Sequence, residues 1–275
     1  MNLIQAAILG IVEGLTEFLP VSSTGHLILA GHAMGLTGSA VDAFEIVIQA
    51  GALLAVLWLY RRRVGELLAG IFRGDPWGRA LLARLLIAFL PAAIVGLILN
   101  DWIKEHLFGP TPVAWALLVG GVVILIVERK RHRAHAPLAA VGEISLMGAL
   151  WIGLAQVLSL WPGTSRAMTT MVAALLLGCT PVVAAEFSFL LAIPTLGAAT
   201  LYDLLKHRHE LLGPALGGPG PLIVGLLTSA VVAGLAIRAL LTYLTSRNLV
   251  PFGWYRIVLG VLLLVILTFQ PGLLQ

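Results

Sequence analysis

The 275-residue chain is 59% hydrophobic and 11% charged, where a soluble domain carries about 25% charged residues; the length suits about six membrane spans of ~20 residues plus connections. The net charge of +4 arises from basic residues gathered at the ends of apolar runs, so no nucleic-acid-binding face is expected. Cys179 is the only cysteine, which excludes an intrachain disulfide and a thiolate metal cluster. The N-terminus has no basic leader and is soon interrupted by glutamates, unlike a cleaved signal peptide.

In chain order, residues 1–37 form an apolar run broken in its middle by LPVSSTG. Full spans are expected at 43–60, 80–99 and 112–127, separated by the polar connections RRRVGELLAGIFRGDPWGR and NDWIKEHLFGPT. After ERKRHRAHAP comes a second broken apolar run, 144–179, interrupted by WPGTSR. Spans at 181–201, 221–244 and 252–269 follow, the first two separated by LKHRHELLGPALGGPG. Unpaired backbone is tolerated at membrane depth only inside protein or beside water, so each broken run reads as a re-entrant helical hairpin with a polar turn near mid-membrane. The expected fold is an all-α polytopic membrane protein, one membrane domain of six transmembrane helices plus two re-entrant hairpins.

The two broken runs align with each other. Glu13 falls opposite Gln156, Pro20 opposite Pro162 and Ser23 opposite Ser165, and further on Glu45 meets Glu186 and Trp115 meets Trp254. A slowly drifting offset suggests an internal duplication, with repeats at about 1–130 and 144–270. Arginines at 61–63, 73, 79 and 84, and basic residues at 129–133, mark 61–79 and 128–143 as cytoplasmic. Three spans per half then invert one repeat relative to the other, and the first hairpin enters from outside. Broken helices in inverted repeats are a transporter-like plan, so an ion-coupled transporter or flippase is an alternative that topology alone allows.

Glu13 and Glu17, spaced i, i+4, project from one helix face. Two buried like charges need a cation or a shared proton, and paired carboxylates beside hydroxyls suit Mg²⁺ or Ca²⁺; a purely structural polar pair, or a proton or sodium relay, would use the same residues. The stretch VSSTGH reads as a turn feeding a helix that starts near Thr24 or Gly25, whose free N–H groups make an anion site. Ser22, Ser23 and Thr24 exceed what one cap requires, and His26 suits a nucleophile or general acid/base; His32 reads as structural. In WPGTSRAMTT, Pro162 and Gly163 make the break, Thr164 and Ser165 can cap the next helix, and Arg166 offers a guanidinium fork for phosphate oxygens. Its alternative is a salt bridge tying the hairpins, with Arg166 paired to Glu13 or Glu17 in an empty site. Glu45 and Glu186 either bond to the turns or face water at the membrane edge; Gln49 and Ser188 belong with them.

At EGLTEFLPVSSTGH and PGTSR, from Glu13 to His26 and from Pro162 to Arg166 with Thr170, the chain closely resembles the undecaprenyl-pyrophosphate phosphatase family, also known through bacitracin resistance. Ala167 stands where that family usually has serine. The likeness runs from about residue 3 to 269. It implies an integral membrane phosphatase that converts undecaprenyl pyrophosphate to undecaprenyl phosphate, the lipid carrier of cell-wall synthesis, in the bacterial plasma (inner) membrane. It further implies Glu13 and Glu17 as metal and acid/base carboxylates, with a divalent cation (Mg²⁺ or Ca²⁺) as cofactor. Arg166 would bind the pyrophosphate, with Ser22, Thr24, Gly163, Thr164, Ser165 and Thr170 around it. Ser23 and His26 contend for nucleophile; Ser23 is preferred, with His26 as proton shuttle, because the serine lies at the helix start beside the expected metal. External entry of the first hairpin places the opening at the outer, periplasmic face. Expected partners are the prenyl pyrophosphate and membrane lipid, and a homodimer is left open.

Overall fold

The computed structural model describes residues 1–107, 109–131, 137–211, 213 and 216–269. These are helical almost throughout: α1 (Leu3–Thr16), α2 (Ser23–Ala33), α3 (Ser39–Leu59), α4 (Arg61–Phe72), α5 (Pro76–His106), α6 (Pro110–Arg131), α7 (Leu146–Gln156), α8 (Arg166–Leu176), α9 (Pro181–Leu211), α10 (Pro219–Leu244) and α11 (Val250–Phe269). Six of them, α3, α5, α6, α9, α10 and α11, are long and apolar enough to cross a membrane, so the protein is a multi-pass membrane protein.

Local chemistry sets the boundaries. Asn2 and Gln5 form a reciprocal capping box at the start of α1. Asp75 caps α5 through the Gly78 N–H at 2.7 Å, with Pro76 in the first turn, where its missing N–H costs nothing. Ser145 caps α7 through Gly148 at 3.0 Å.

Each broken run becomes a pair of short helices. The 14 residues of α1 rise only about 21 Å, and the 11 of α2, α7 and α8 about 16 Å each, against a hydrocarbon core of about 30 Å. None of the four can span alone. They are held by close helix contacts: a Cβ on Gly10 or Gly14 of α1 would lie 2.5 Å from the Gly225 or Ser229 carbonyl oxygen of α10. Likewise a Cβ on Gly153 of α7 would lie 2.5 Å from the Ala88 carbonyl oxygen of α5. Small residues let helix backbones approach where lipid supplies no hydrophobic drive.

The structure departs from the sequence expectation in the connections. The stretch RRRVGELLAGIFRGDPWGR, expected as a polar connection, carries α4, because Leu67, Leu68, Ile71 and Phe72 recur at helical spacing behind the arginines. NDWIKEH continues α5 to His106, and LKHRHEL continues α9 past a kink at His207. The basic run after α6 falls at 132–136, outside the described residues. The core beneath the two breaks is aromatic, with Phe18, Phe187 and Phe189 fully buried and Phe18 edge-on to Phe189 at 5.3 Å.

Candidate active site

The two breaks share one local design. Ser22 (φ 76°, ψ 98°) and Ser165 (φ 73°, ψ 117°) are the non-glycine residues with positive φ among those described, and each is the N-cap of the helix that follows. Ser22 Oγ accepts from the Gly25 N–H at 3.4 Å and Ser165 Oγ from the Met168 N–H at 3.2 Å. Both dihedral pairs lie beyond the favoured left-handed well, at a cost of about 1–3 kcal/mol each. The matched geometry pairs Ser165 with Ser22, one residue before the Ser23 of the sequence alignment. Gly163 (φ 93°) precedes the second cap, and a Cβ there would sit 2.7 Å from the Val113 carbonyl oxygen; only glycine fits both constraints.

Glu17 joins the breaks. Its Oε2 accepts from Ser23 Oγ at 2.6 Å, and its Oε1 pairs with Arg166 Nη2 at 3.1 Å. Glu17, Ser23 and Arg166 are all nearly buried. Arg166 Nη1 donates to the Ser188 carbonyl at 2.7 Å and Ser188 Oγ at 3.2 Å, and the guanidinium lies 5.6 Å from the Phe18 ring centroid. Its Nε–H is buried without an acceptor, leaving one donor uncommitted. Thr170 Oγ1 donates to the Arg166 carbonyl at 2.8 Å and can accept from the Ser188 hydroxyl at 2.7 Å, so it positions the arginine's surroundings.

Glu13 is fully buried, both its carboxyl oxygens lack a hydrogen-bond donor, and its electrostatic neighbours are Glu17, Glu45 and Arg166. A carboxylate cannot stay ionised there unaided; it needs a cation or a proton shared with Glu17. Among the described residues no three His, Cys, Asp or Glu side chains form a metal cluster. Glu13 and Glu17 nevertheless fit a hard divalent ion that keeps waters and takes phosphate oxygens, as Mg²⁺ does.

His26 turns away from Ser23. Its Nδ1 lies 2.7 Å from the Ser22 carbonyl, which can only accept, so Nδ1 carries a proton. Nε2 meets the Tyr255 hydroxyl at 2.6 Å, with the two rings stacked at 5.7 Å. The group hydrogen-bonded to Ser23 is therefore Glu17, and His26 is oriented by Tyr255 of α11.

Of the remaining expected residues, Thr24 is half-buried and Thr164 buried, and neither side chain makes a hydrogen bond among the described residues. Gln156, aligned with Glu13, is buried with its amide atoms unpartnered. Ser188 enters the site through Arg166; Gln49 makes no such link. Glu186 leaves the turns and pairs with Arg63 at 3.2 Å. His32 bonds the Ile28 carbonyl at 2.8 Å within its own helix, a structural role.

No sequence motif marks Arg256. It is wholly buried and donates to the carbonyls of Leu117 (3.3 Å), Ala116 (3.0 Å), Pro20 (3.3 Å) and Gly163 (3.0 Å), so one guanidinium holds both breaks. The available signal was a lone arginine within the apolar PFGWYRIVLG, since intramembrane charges are functional by default. Tyr255, beside it, carried no such signal.

Residues 6–262 match the family described as bacitracin resistance protein BacA. The chain is 53% identical over 261 residues to an undecaprenyl-diphosphatase of Sorangium cellulosum, covering 94% of this chain and 85% of that one. Undecaprenyl-diphosphatase 2 of Rhodospirillum rubrum is 49% identical over 99% of this chain and 97% of its own, and undecaprenyl-diphosphatase 1 of Chromobacterium violaceum 48% over 99% and 98%. A match across this extent means that the chain belongs to the bacitracin resistance protein BacA family.

Proposed function

We propose that the protein hydrolyses undecaprenyl pyrophosphate to undecaprenyl phosphate and inorganic phosphate, recycling the lipid carrier of cell-wall synthesis in the bacterial plasma membrane. The names of its relatives support the substrate. The observation that carries the chemistry is the buried chain Ser23–Glu17–Arg166, which links the two breaks at 2.6 and 3.1 Å. Ser23 Oγ attacks the terminal phosphorus as Glu17 takes its proton, the phosphoanhydride bond breaks, and undecaprenyl phosphate leaves. Water then hydrolyses the phosphoserine and releases phosphate. Arg166 steadies the charge on the transferring group with its uncommitted Nε–H and with Nη2, which Glu17 releases on protonation. Glu13 and Glu17 would hold a divalent cation, Mg²⁺ or Ca²⁺, whose contribution is to neutralise phosphate oxygens. His26 has both ring nitrogens engaged, which favours a proton relay through Tyr255 over direct attack.

Each short pair is read as a re-entrant hairpin, and the two halves as inverted repeats. Packing supports this: α1 lies on α10 as α7 lies on α5, and α3 meets α10 as α9 meets α5. Gln5 and Met34 meet at one end of the first pair, whereas Leu138, Cys179 and the Arg84–Gly142 contact gather at the ends of the second. The site then opens to the outer face.

Purified protein given undecaprenyl pyrophosphate is expected to release inorganic phosphate, and EDTA to stop the release. Transport of a prenyl phosphate without phosphate release would replace this reading with the flippase.

A further inference from the structure

A cavity of about 350 Å³ opens where α3 passes into α4, lined by Leu59, Tyr60, Arg61, Arg62, Arg63 and Glu186. It is separated from Arg166 by a layer of rings: Tyr60 lies 6.3 Å from Phe189, which meets Phe18. Its charges are unevenly committed. Arg63 is bound by Glu66 and Glu186, both at 3.2 Å, and lies over Trp77 at 4.8 Å. Arg61 meets the Trp58 ring at 5.9 Å, and Arg238 of α10 packs on the same ring at 5.1 Å. Arg62 is exposed and pairs with no acidic group among the described residues. Three arginines and one glutamate therefore line the cavity, and that glutamate, like Glu66 beside it, is taken by Arg63.

The surroundings belong to a membrane boundary. Trp58 is 57% exposed, and α4 presents Leu68, Ile71 and Phe72 outward at helical spacing, Phe72 being 80% exposed. Tryptophans mark the headgroup level, and a helix that is apolar on one side and basic on the other lies at the same depth. A basic pocket there complements a lipid phosphate.

We propose that this cavity is a binding site for the phosphate headgroup of an anionic membrane phospholipid. Arg61 and Arg62 are its ligands, and Leu68, Ile71 and Phe72 lie beside the acyl chains. The site is distinct from Glu17 and Arg166 and needs no turnover.

Native mass spectrometry of the full chain in detergent, with added phosphatidylglycerol, phosphatidylcholine or inorganic phosphate, tests it. Wild type is expected to retain phosphatidylglycerol over phosphatidylcholine. Arg61→Gln and Arg62→Gln should each lower that retention about fivefold, leaving phosphatidylcholine unaffected. Glu186→Gln, which removes one of the two carboxylates holding Arg63 and the one that lines the cavity, should raise it, and this gain decides the matter if an arginine variant melts early. Equal retention of the two lipids, or unchanged retention in the variants, overturns the proposal. Displacement of phosphatidylglycerol by millimolar inorganic phosphate overturns it in favour of a free-phosphate site.

Discussion

Glu17 is committed on both oxygens, to the Ser23 hydroxyl from one break and the Arg166 guanidinium from the other. A neutral amide in its place can accept from Ser23 but cannot take its proton, and it leaves Arg166 buried without a counter-charge. Glu17→Gln is therefore expected to lower kcat by roughly 10²–10⁴-fold, the range of a positioned general base. Glu13→Gln should act differently, weakening metal dependence first, because Glu13 touches no proton of Ser23. Phosphate release titrated with Mg²⁺ separates the two, and near-normal turnover in both variants would remove the carboxylates from the reaction. Arg166→Lys keeps the charge yet cannot bridge Glu17 and the Ser188 carbonyl together. A loss of about 2–4 kcal/mol in transition-state stabilisation is expected, read as lower kcat at near-constant KM. If Arg166 only ties the breaks together, the lysine variant keeps its activity while Arg166→Ala lowers Tm.

At the scale of elements, the two breaks are short helices whose caps are strained and whose loops hang on one buried arginine of α11. Arg256→Met removes four donors to carbonyls, and the Pro20 and Gly163 oxygens lose the partner that spans both turns. Buried hydrogen bonds from a charged group contribute about 1.5–3 kcal/mol each, so Tm in detergent should fall markedly and kcat with it. Arg256→Lys should recover part of the Tm but less of kcat, since one ammonium cannot hold both loops in register. A methionine variant that melts and turns over like wild type would refute the clamp. The position also marks the reach of local sequence pattern. Glu13, Glu17, Ser23 and Arg166 were legible because each pair lies within one motif or at a helical spacing, and Ser22 and Ser165 because caps precede apolar runs. Arg256 and Tyr255 act on partners from 93 to 236 residues away, and Arg256 acts on backbone oxygens. No local pattern encodes a carbonyl acceptor. The same limit explains α4: its arginines suggested a polar loop, and the apolar side behind them became visible only as a helix.

At the scale of the molecule, the spans were legible because about 20 apolar residues must cross a fixed thickness, while their handedness in the membrane rests on charge. Arg61, Arg62, Arg73 and Arg79 lie at the end of the bundle where α3 closes and α5 begins, and Thr111 lies in the first turn of α6, one span further on. Positive charge holds its end in the cytoplasm, so Arg73 and Thr111 belong on opposite sides. Single cysteines at Arg73→Cys and Thr111→Cys, in a Cys179→Ala background, test this with an impermeant maleimide on intact cells. Both positions are exposed, so a lack of labelling reports the membrane and not burial. The native thiol adds little background even where it is kept, because burial, and after it the nearby Glu143, pushes Cys179 up to about 11, leaving almost no thiolate at neutral pH. Thr111→Cys is expected to label on intact cells and Arg73→Cys only after the membrane is opened. With α5 crossing once between them, that outcome puts the first helix pair, whose Gln5 and Met34 meet at the end opposite the arginines, at the outer face. Glu13, Glu17 and Ser23 would then be reached from outside. Labelling of both positions on intact cells would mean that α5 does not cross, and the inverted repeat and the outward site would fail together. The reverse pattern, with Arg73→Cys alone labelled, would keep the fold and turn the site toward the cytoplasm.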